Sequence, residues 1–350
     1  MRKVFSLIII SVVCLALITS CSKKEDIPEG TIDEFYFVKN EGAVLPVRVA
    51  GKETSGNYII VTHGGPGNTA QTMRNSIGLH DLEKNFKVVY WDQRASGVSQ
   101  GNIPAEEISI EQFSRDLDAI IEFAKQVKGA TNVYLLGHSW GGGLSTYYLA
   151  NPDNGAAHQA KLKGFILDAG GYNVIGGMQL SMQYVMNYAN TSIANNKDRN
   201  YWKGYQDYVS QNPKITKDNF LDHAEYVKKA KGIFYGSYEL YNSSLPDYEF
   251  DAFLKNFNYV NANMKIGGQS IFDAMDLTPW LGNITLPTLV IWGNKDGLLP
   301  VGLADPFYNG IATPNADKTK KIYADCAHEP QTEEPVLFQT DVTKFILDHQ

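Results

Sequence analysis

Val133-Tyr134-Leu135-Leu136-Gly137-His138-Ser139-Trp140-Gly141 is the stretch on which the fold turns. Val133 to Leu136 is a short apolar run of the kind a strand buried on both faces requires. A helix is predicted beyond it, through Leu144 to Ala150, and Gly137 to Gly141 between them match G-x-S-x-G. Where a strand turns sharply into a helix, there is no room for Cβ atoms beside the serine, so both flanking residues are glycine. Such a turn exposes Oγ of Ser139 and aims the following helix N-terminus at it, which favours developing negative charge. Five residues alone also describe an ordinary Gly-Ser turn. The strand before and the helix after argue against it.

Outward from this turn the chain alternates. Glu34 to Lys39 and Val44 to Val49 look like paired strands, and Tyr58 to Thr62, Lys87 to Trp91 and Phe165 to Leu167 like buried ones. Ser109-Ile110-Glu111-Gln112 has the form of a capping box. Behind it, Ile110, Phe113, Leu117, Ile120, Ile121 and Ala124 supply a helical apolar stripe. From residue 170 to 280 the rhythm breaks into Tyr-, Asn- and Lys-rich helical patterning. It resumes with strands Thr288 to Trp292 and Lys321 to Tyr323 and a last helix around Pro335 to Leu347. Alternating units imply an α/β fold: a mostly parallel sheet with helices on both faces, interrupted by a helical cap. The expected divisions are a core over 31–169 and 281–350, with the cap over 170–280 between them. Ligands bind such sheets beyond the carboxyl ends of the strands, where the chemical motifs all fall.

A serine hydroxyl needs a base to become a nucleophile. His328, in the loop between the last predicted strand and helix, is the candidate. His63 and His138 compete by proximity but sit inside motifs of their own, while His80, His158, His223 and His349 are expected at the surface. The acid that orients the imidazole would be Asp296, in Trp292-Gly293-Asn294-Lys295-Asp296 just past a strand, with Asp168 as its rival. Acyl transfer also needs two N–H donors for the oxyanion. Trp140, next after the serine, offers one. The loop His63-Gly64-Gly65-Pro66-Gly67 offers the other from Gly65.

That glycine loop, Tyr90-Trp91-Asp92-Gln93-Arg94-Ala95-Ser96-Gly97-Val98-Ser99 and Gly137-His138-Ser139-Trp140-Gly141 together resemble the proline iminopeptidase family of the α/β-hydrolase fold. The resemblance covers Tyr58 to Ala150 and resumes from Thr288 onward. It implies a triad of Ser139, Asp296 and His328, in the chain order that fold uses, and oxyanion donors at Gly65 and Trp140. It also implies that Asp92 and Arg94 tie loops together beneath the site. Two positions depart from the family, Ala95 and His138, where glycine is usual. Cap carboxylates hold the substrate amine in iminopeptidases. Glu225, Glu239, Asp247, Glu249 and Asp251 are the candidates here.

The N-terminus reads as an address rather than as fold. Arg2 and Lys3 precede an apolar run, Val4 to Ile18, that ends in Leu17-Ile18-Thr19-Ser20-Cys21. This resembles the signal of bacterial lipoproteins, 1–20, cut before a lipidated Cys21, with 21–30 as a tether. The run is short for a membrane-spanning helix. Ser22 does not resemble an inner-membrane retention signal, which points to the outer membrane, facing periplasm or cell surface. Loss of Arg2 and Lys3 takes the net charge from −7 to −9, so phosphate is repelled and nucleic acid is excluded as a partner. Cys326 then remains the single cysteine of the mature chain, expected buried and inert, with no disulfide. Neither a dinucleotide fingerprint nor metal-ligand spacing is present, so no cofactor is expected.

Three functions compete: an aminopeptidase for short peptides, an esterase or amidase for another small acyl compound, and a lipid-anchored binding protein without catalysis.

Overall fold

The computed structural model describes residues 28–236 and 256–350. Cys21 and the expected leader lie outside them, as do Glu239, Asp247, Glu249 and Asp251. Ten strands are described: β1 (Thr31–Asn40), β2 (Ala43–Lys52), β3 (Asn57–Thr62), β4 (Lys87–Trp91), β5 (Asn132–His138), β6 (Gly164–Asp168), β7 (Lys265–Ile266), β8 (Gln269–Ser270), β9 (Thr288–Gly293) and β10 (Lys318–Tyr323). Eight of these form one sheet in the order β1-β2-β4-β3-β5-β6-β9-β10. The β1–β2 and β2–β4 pairs are antiparallel and the rest parallel, so the expected α/β architecture is present. The longer helices are α1 (Ile110–Glu122), α2 (Trp140–Ala150), α3 (Val174–Ala194), α4 (Arg199–Gln211), α5 (Phe220–Lys229) and α6 (Pro335–Asp348).

The central strands are apolar throughout because both faces are covered. In β5, Val133 and Leu135 join the core that holds the α1 stripe, while Tyr134 and Leu136 meet Phe338, Val342, Phe345 and Ile346 of α6. Ile110, Phe113, Leu117, Ile120, Ile121 and Ala124 are all fully buried. Each of the larger side chains, Ile, Leu or Phe, contributes roughly 1.5–3 kcal/mol by leaving water. Only half of the expected capping box forms. The Oγ of Ser109 accepts from the Gln112 N–H, but the Gln112 side chain turns to Arg115 instead of reaching back.

Between β6 and β9 the chain leaves the sheet and forms α3, α4, α5 and a helix described over 256–263. Of these, α3, α4 and α5 share a core of Val185, Ala189, Trp202, Tyr205, Val227 and Ala230, while Val260 of the fourth helix joins the main core. The all-helical expectation is wrong in one place. Lys265 to Ser270 is a β7–β8 hairpin, turned by Gly267 and Gly268 at φ +55° and +80°. A two-residue hairpin loop favours positive φ at both central positions, which glycine takes without strain.

Candidate active site

Ser139 sits at the junction of β5 and α2 with φ 54° and ψ −123°. A side chain at such an angle costs roughly 1–3 kcal/mol unless its surroundings enforce it. Here they do: Ser139 N–H donates to the Asp168 carbonyl at 3.0 Å, and the Ser139 carbonyl accepts from Gly142, Gly143 and Gly171. The flanking glycines leave no space for anything larger. A Cβ on Gly141 would lie 2.0 Å from the Thr62 carbonyl oxygen, and one on Gly137 2.5 Å from that of Gly141.

Two loops bring partners to the hydroxyl. His328, after β10, places Nε2 2.9 Å from Ser139 Oγ, and its Nδ1 lies 2.8 Å from Asp296 Oδ2, after β9. The other oxygen of Asp296 accepts from the N–H groups of Leu298 and Leu299, both at 2.9 Å, so the carboxylate is held on two sides. With its Nδ1 proton committed to Asp296, the imidazole presents a free lone pair to the hydroxyl. Ser139, His328 and Asp296 are all buried. The rival acid Asp168 does not reach this histidine. It pairs with His138, Nδ1 to Oδ2 at 3.0 Å.

Gly65 and Trp140 line one cavity with Ser139. Trp140 is the first residue of α2, so its N–H has no acceptor within the helix. Gly65 adopts φ +118°, where a Cβ would press on Gly67 N at 2.6 Å. A link absent from the sequence reading joins these two donors. Gln93 donates Nε2–H to the His63 carbonyl at 2.8 Å and accepts the Trp140 indole N–H at 2.9 Å. His63 serves the same loop: it accepts from Gln93 N–H at Nε2, so Nδ1 donates to the Gly64 carbonyl. Burial lowers its pKa to about 4 and keeps it neutral. Gln93→Ala should lower kcat by about tenfold to a hundredfold with little change in KM, since small misplacement of donors weakens transition-state contacts. Steady-state kinetics would check this; a change confined to KM would count against it.

The rest of the motif around Gln93 does the tying that the resemblance implies. Asp92 accepts the N–H groups of Ala70 and Val98, and buried Arg94 spans Asp116 and Glu107. Ala95, where the resemblance leads one to expect glycine, has φ 54°, an angle that glycine takes without strain.

Several expectations need correction. His158 and His223 are buried, not superficial. His158 stacks on Tyr148 with centroids 3.8 Å apart and bonds its carbonyl. His223 meets Ser181 Oγ at 2.8 Å, and that hydroxyl donates to the Gly297 carbonyl beside Asp296. Desolvation lowers the His223 pKa to about 4. Polar neighbours in sequence made both look exposed, yet each is a satisfied core group. Cys326 is buried as expected, and burial pushes its thiol up and out of reach of ionisation at neutral pH. Glu225, expected near substrate, lies exposed on α5 beside Lys228. It does not line the cavity.

That cavity, about 50 Å³, is walled by Pro66, Val174, Met178, Phe220, Ile271, Phe272, Leu298 and Leu299. Asn261 also faces it, and its Nδ2 donates to the carbonyls of Pro66 and Phe257. No carboxylate lines it among the described residues. The inserted segment also touches the catalytic loops. Ile233 accepts the His328 N–H at 3.0 Å, and Glu333 accepts from Ala327, Tyr235 and Gly236.

The chain is similar to several known proteins. A proline iminopeptidase of Thermoplasma volcanium is 28% identical over 74% of this chain and 80% of its own length. A probable aminopeptidase of Bacillus subtilis, YbaC, is 32% identical, though the match spans only 29% of this chain and 32% of that protein. The crystal structure of a proline iminopeptidase from Mycobacterium smegmatis superimposes with a TM-score of 0.63 at 18% identity, covering 90% of this chain and 98% of that one. The sequence pattern of the alpha/beta hydrolase fold matches residues 57–335. With most of its length inside that match, the chain belongs to the alpha/beta hydrolase fold family.

Proposed function

We propose that the chain is a serine hydrolase that works through an acyl-enzyme on Ser139 and releases N-terminal residues from short peptides, in the manner of proline iminopeptidases. The observation that carries the chemistry is the buried hydrogen-bonded line from Ser139 through His328 to Asp296. In this reading His328 Nε2 takes the proton of Ser139 as Oγ bonds to the carbonyl carbon. The N–H groups of Gly65 and Trp140 hold the resulting oxyanion. His328 then passes its proton to the leaving amine, and water repeats the sequence to free the acid. The similarity to iminopeptidases supports a peptide substrate.

One observation favours a second reading, an esterase or amidase for a small apolar acyl group: the described cavity wall lacks a carboxylate to receive a substrate amine. A panel of aminoacyl-naphthylamides and p-nitrophenyl esters separates the two. Turnover that requires a free amine is expected of the first. Good ester turnover with no cleavage of any free-amine substrate would assign the second. A non-catalytic binding protein is the reading from another class, and it calls for no reaction of the wild type with a fluorophosphonate probe.

For the N-terminus the proposal is an outer-membrane lipoprotein anchored through Cys21. Palmitate labelling in growing bacteria should be lost in Cys21→Ser. A wild type that takes up no label would overturn it.

A further inference from the structure

A second charged cluster lies against the triad, and the chemistry just described does not use it. His138, the residue before the nucleophile, is 2% exposed and sits between two carboxylates. Its Nδ1 is 3.0 Å from Asp168 Oδ2 and its Nε2 is 3.4 Å from Glu329 Oε2. Its ring centroid is 5.2 Å from that of His328, tilted by 46°. Glu329 follows His328 directly in the chain and is held in place by the Gln331 amide at 2.6 Å. Asp168 also supplies the carbonyl that grips the Ser139 N–H. The cluster therefore meets the base through a tilted ring contact and the nucleophile through the backbone.

We propose that Asp168, His138 and Glu329 act as positioning residues whose balance of charge tunes how readily His328 takes the proton of Ser139, a role that rests on the serine hydrolase reading. Burial favours a neutral His138, but Glu329 and Asp168 outweigh it and push its pKa up to about 10, so the ring is a cation at neutral pH. Burial also works against the Glu329 carboxylate, yet His138 holds it below the usual carboxylate range. Desolvation raises Asp168 in spite of the same cation. The other titratable groups around the cluster include Asp296 on the far side of His328, Tyr323 at the end of β10, the buried Cys326 thiol, and Glu333, whose carboxylate is engaged by backbone N–H groups. An imidazolium 5.2 Å from the base opposes a second positive charge on His328. The carboxylates on either side offset that opposition. Charge at this distance in a buried site is screened little by salt.

The sign follows for each member. Glu329→Gln removes a negative charge but keeps the shape, leaving the His138 cation undercompensated. His328 is then harder to protonate, and the acid limb of the activity profile moves to lower pH, by about half a pH unit or more. His138→Gln removes the cation and moves the limb the other way. Glu329→Asp keeps the charge and should return the limb toward the wild-type position. A cluster that only held the loops together would lower thermal stability and leave both limbs in place.

The readout is the rate of covalent labelling by a fluorophosphonate probe as a function of pH, on the full chain, which needs no knowledge of the natural substrate. Opposite displacements in Glu329→Gln and His138→Gln support the proposal. A wild type that labels with a clear acid limb, while folded Glu329→Gln superimposes on it, overturns the proposal and leaves the hydrolase reading intact. A wild type that does not label overturns both. A variant-free check is the imidazole nitrogen spectrum of the intact protein at pH 8: a doubly protonated His138 is expected, and a neutral ring there would refute the cluster as drawn.

Discussion

Alanine at His328 should lower turnover by roughly 10⁴- to 10⁶-fold, as should alanine at Ser139, and the double variant should be scarcely worse than either. The two side chains share one proton across 2.9 Å, so removing one leaves the other without a task. In the hydrolase reading, what survives is the oxyanion hole and substrate binding, which act without the triad. Asp296→Asn should fall by about 10⁴-fold, because an amide donor facing Nδ1 favours the wrong tautomer for accepting from Oγ. Single-turnover rates on an activated ester check this, since they separate chemistry from product release. Losses that multiply in the double variant would mean that the two residues act independently.

Replacing Arg94 by methionine should destabilise the protein by about 3–5 kcal/mol while leaving the triad untouched. Arg94 and Asp116 are fully buried, joined by Nε to Oδ2 at 2.7 Å and Nη2 to Oδ1 at 2.8 Å. Losing the guanidinium leaves the buried Asp116 charge facing the neutral Asn40 amide, at 2.8 Å, in place of a cation. Burial already raises the Asp116 pKa against the pull of Arg94, and without that pull it rises further. A carboxyl that binds its proton more tightly folded than unfolded disfavours folding as pH climbs through its native value. The deficit of the variant should therefore shrink as pH falls from 8 toward 5. Urea unfolding of both proteins at the two pH values measures it. A deficit that is small, or equal at both, would show that the Asn40 amide and water suffice for Asp116 without the guanidinium.

Both expectations concern residues visible in short motifs, and they differ in how much of their setting the sequence disclosed. The elbow was legible because its requirements are local. Apolar residues before it, small residues around it and a helix after it all lie within one stretch, and steric exclusion forces the glycines. The stripe of α1 was legible for the same reason. The start of β10 was not: Lys318, Thr319 and Lys320 carry no apolar signal, because this strand lies at the sheet edge with one flank unpaired. The β7–β8 hairpin escaped notice because two-residue strands have no periodicity to detect.

Ring partners were harder still. His158 and His223 have polar neighbours in sequence, yet Tyr148 covers one, and Ser181 with Tyr205 satisfies the other. Gln93 stood in a recognised motif, but its bridge from the His63 carbonyl to the Trp140 indole joins three separate segments.

By itself the sequence determined the α/β alternation, the strained nucleophile turn and the identity of the groups available for chemistry, since these depend on backbone sterics and residue spacing over a few positions. Asp296 was already the expected partner of His328, with Asp168 as its rival; tertiary structure decided between them and alone disclosed that Asp168 and Glu329 go to His138. The reason is geometric. Strand order and loop length place side chains from remote segments within hydrogen-bond reach, and a shift of a few ångströms in either would exchange the partners.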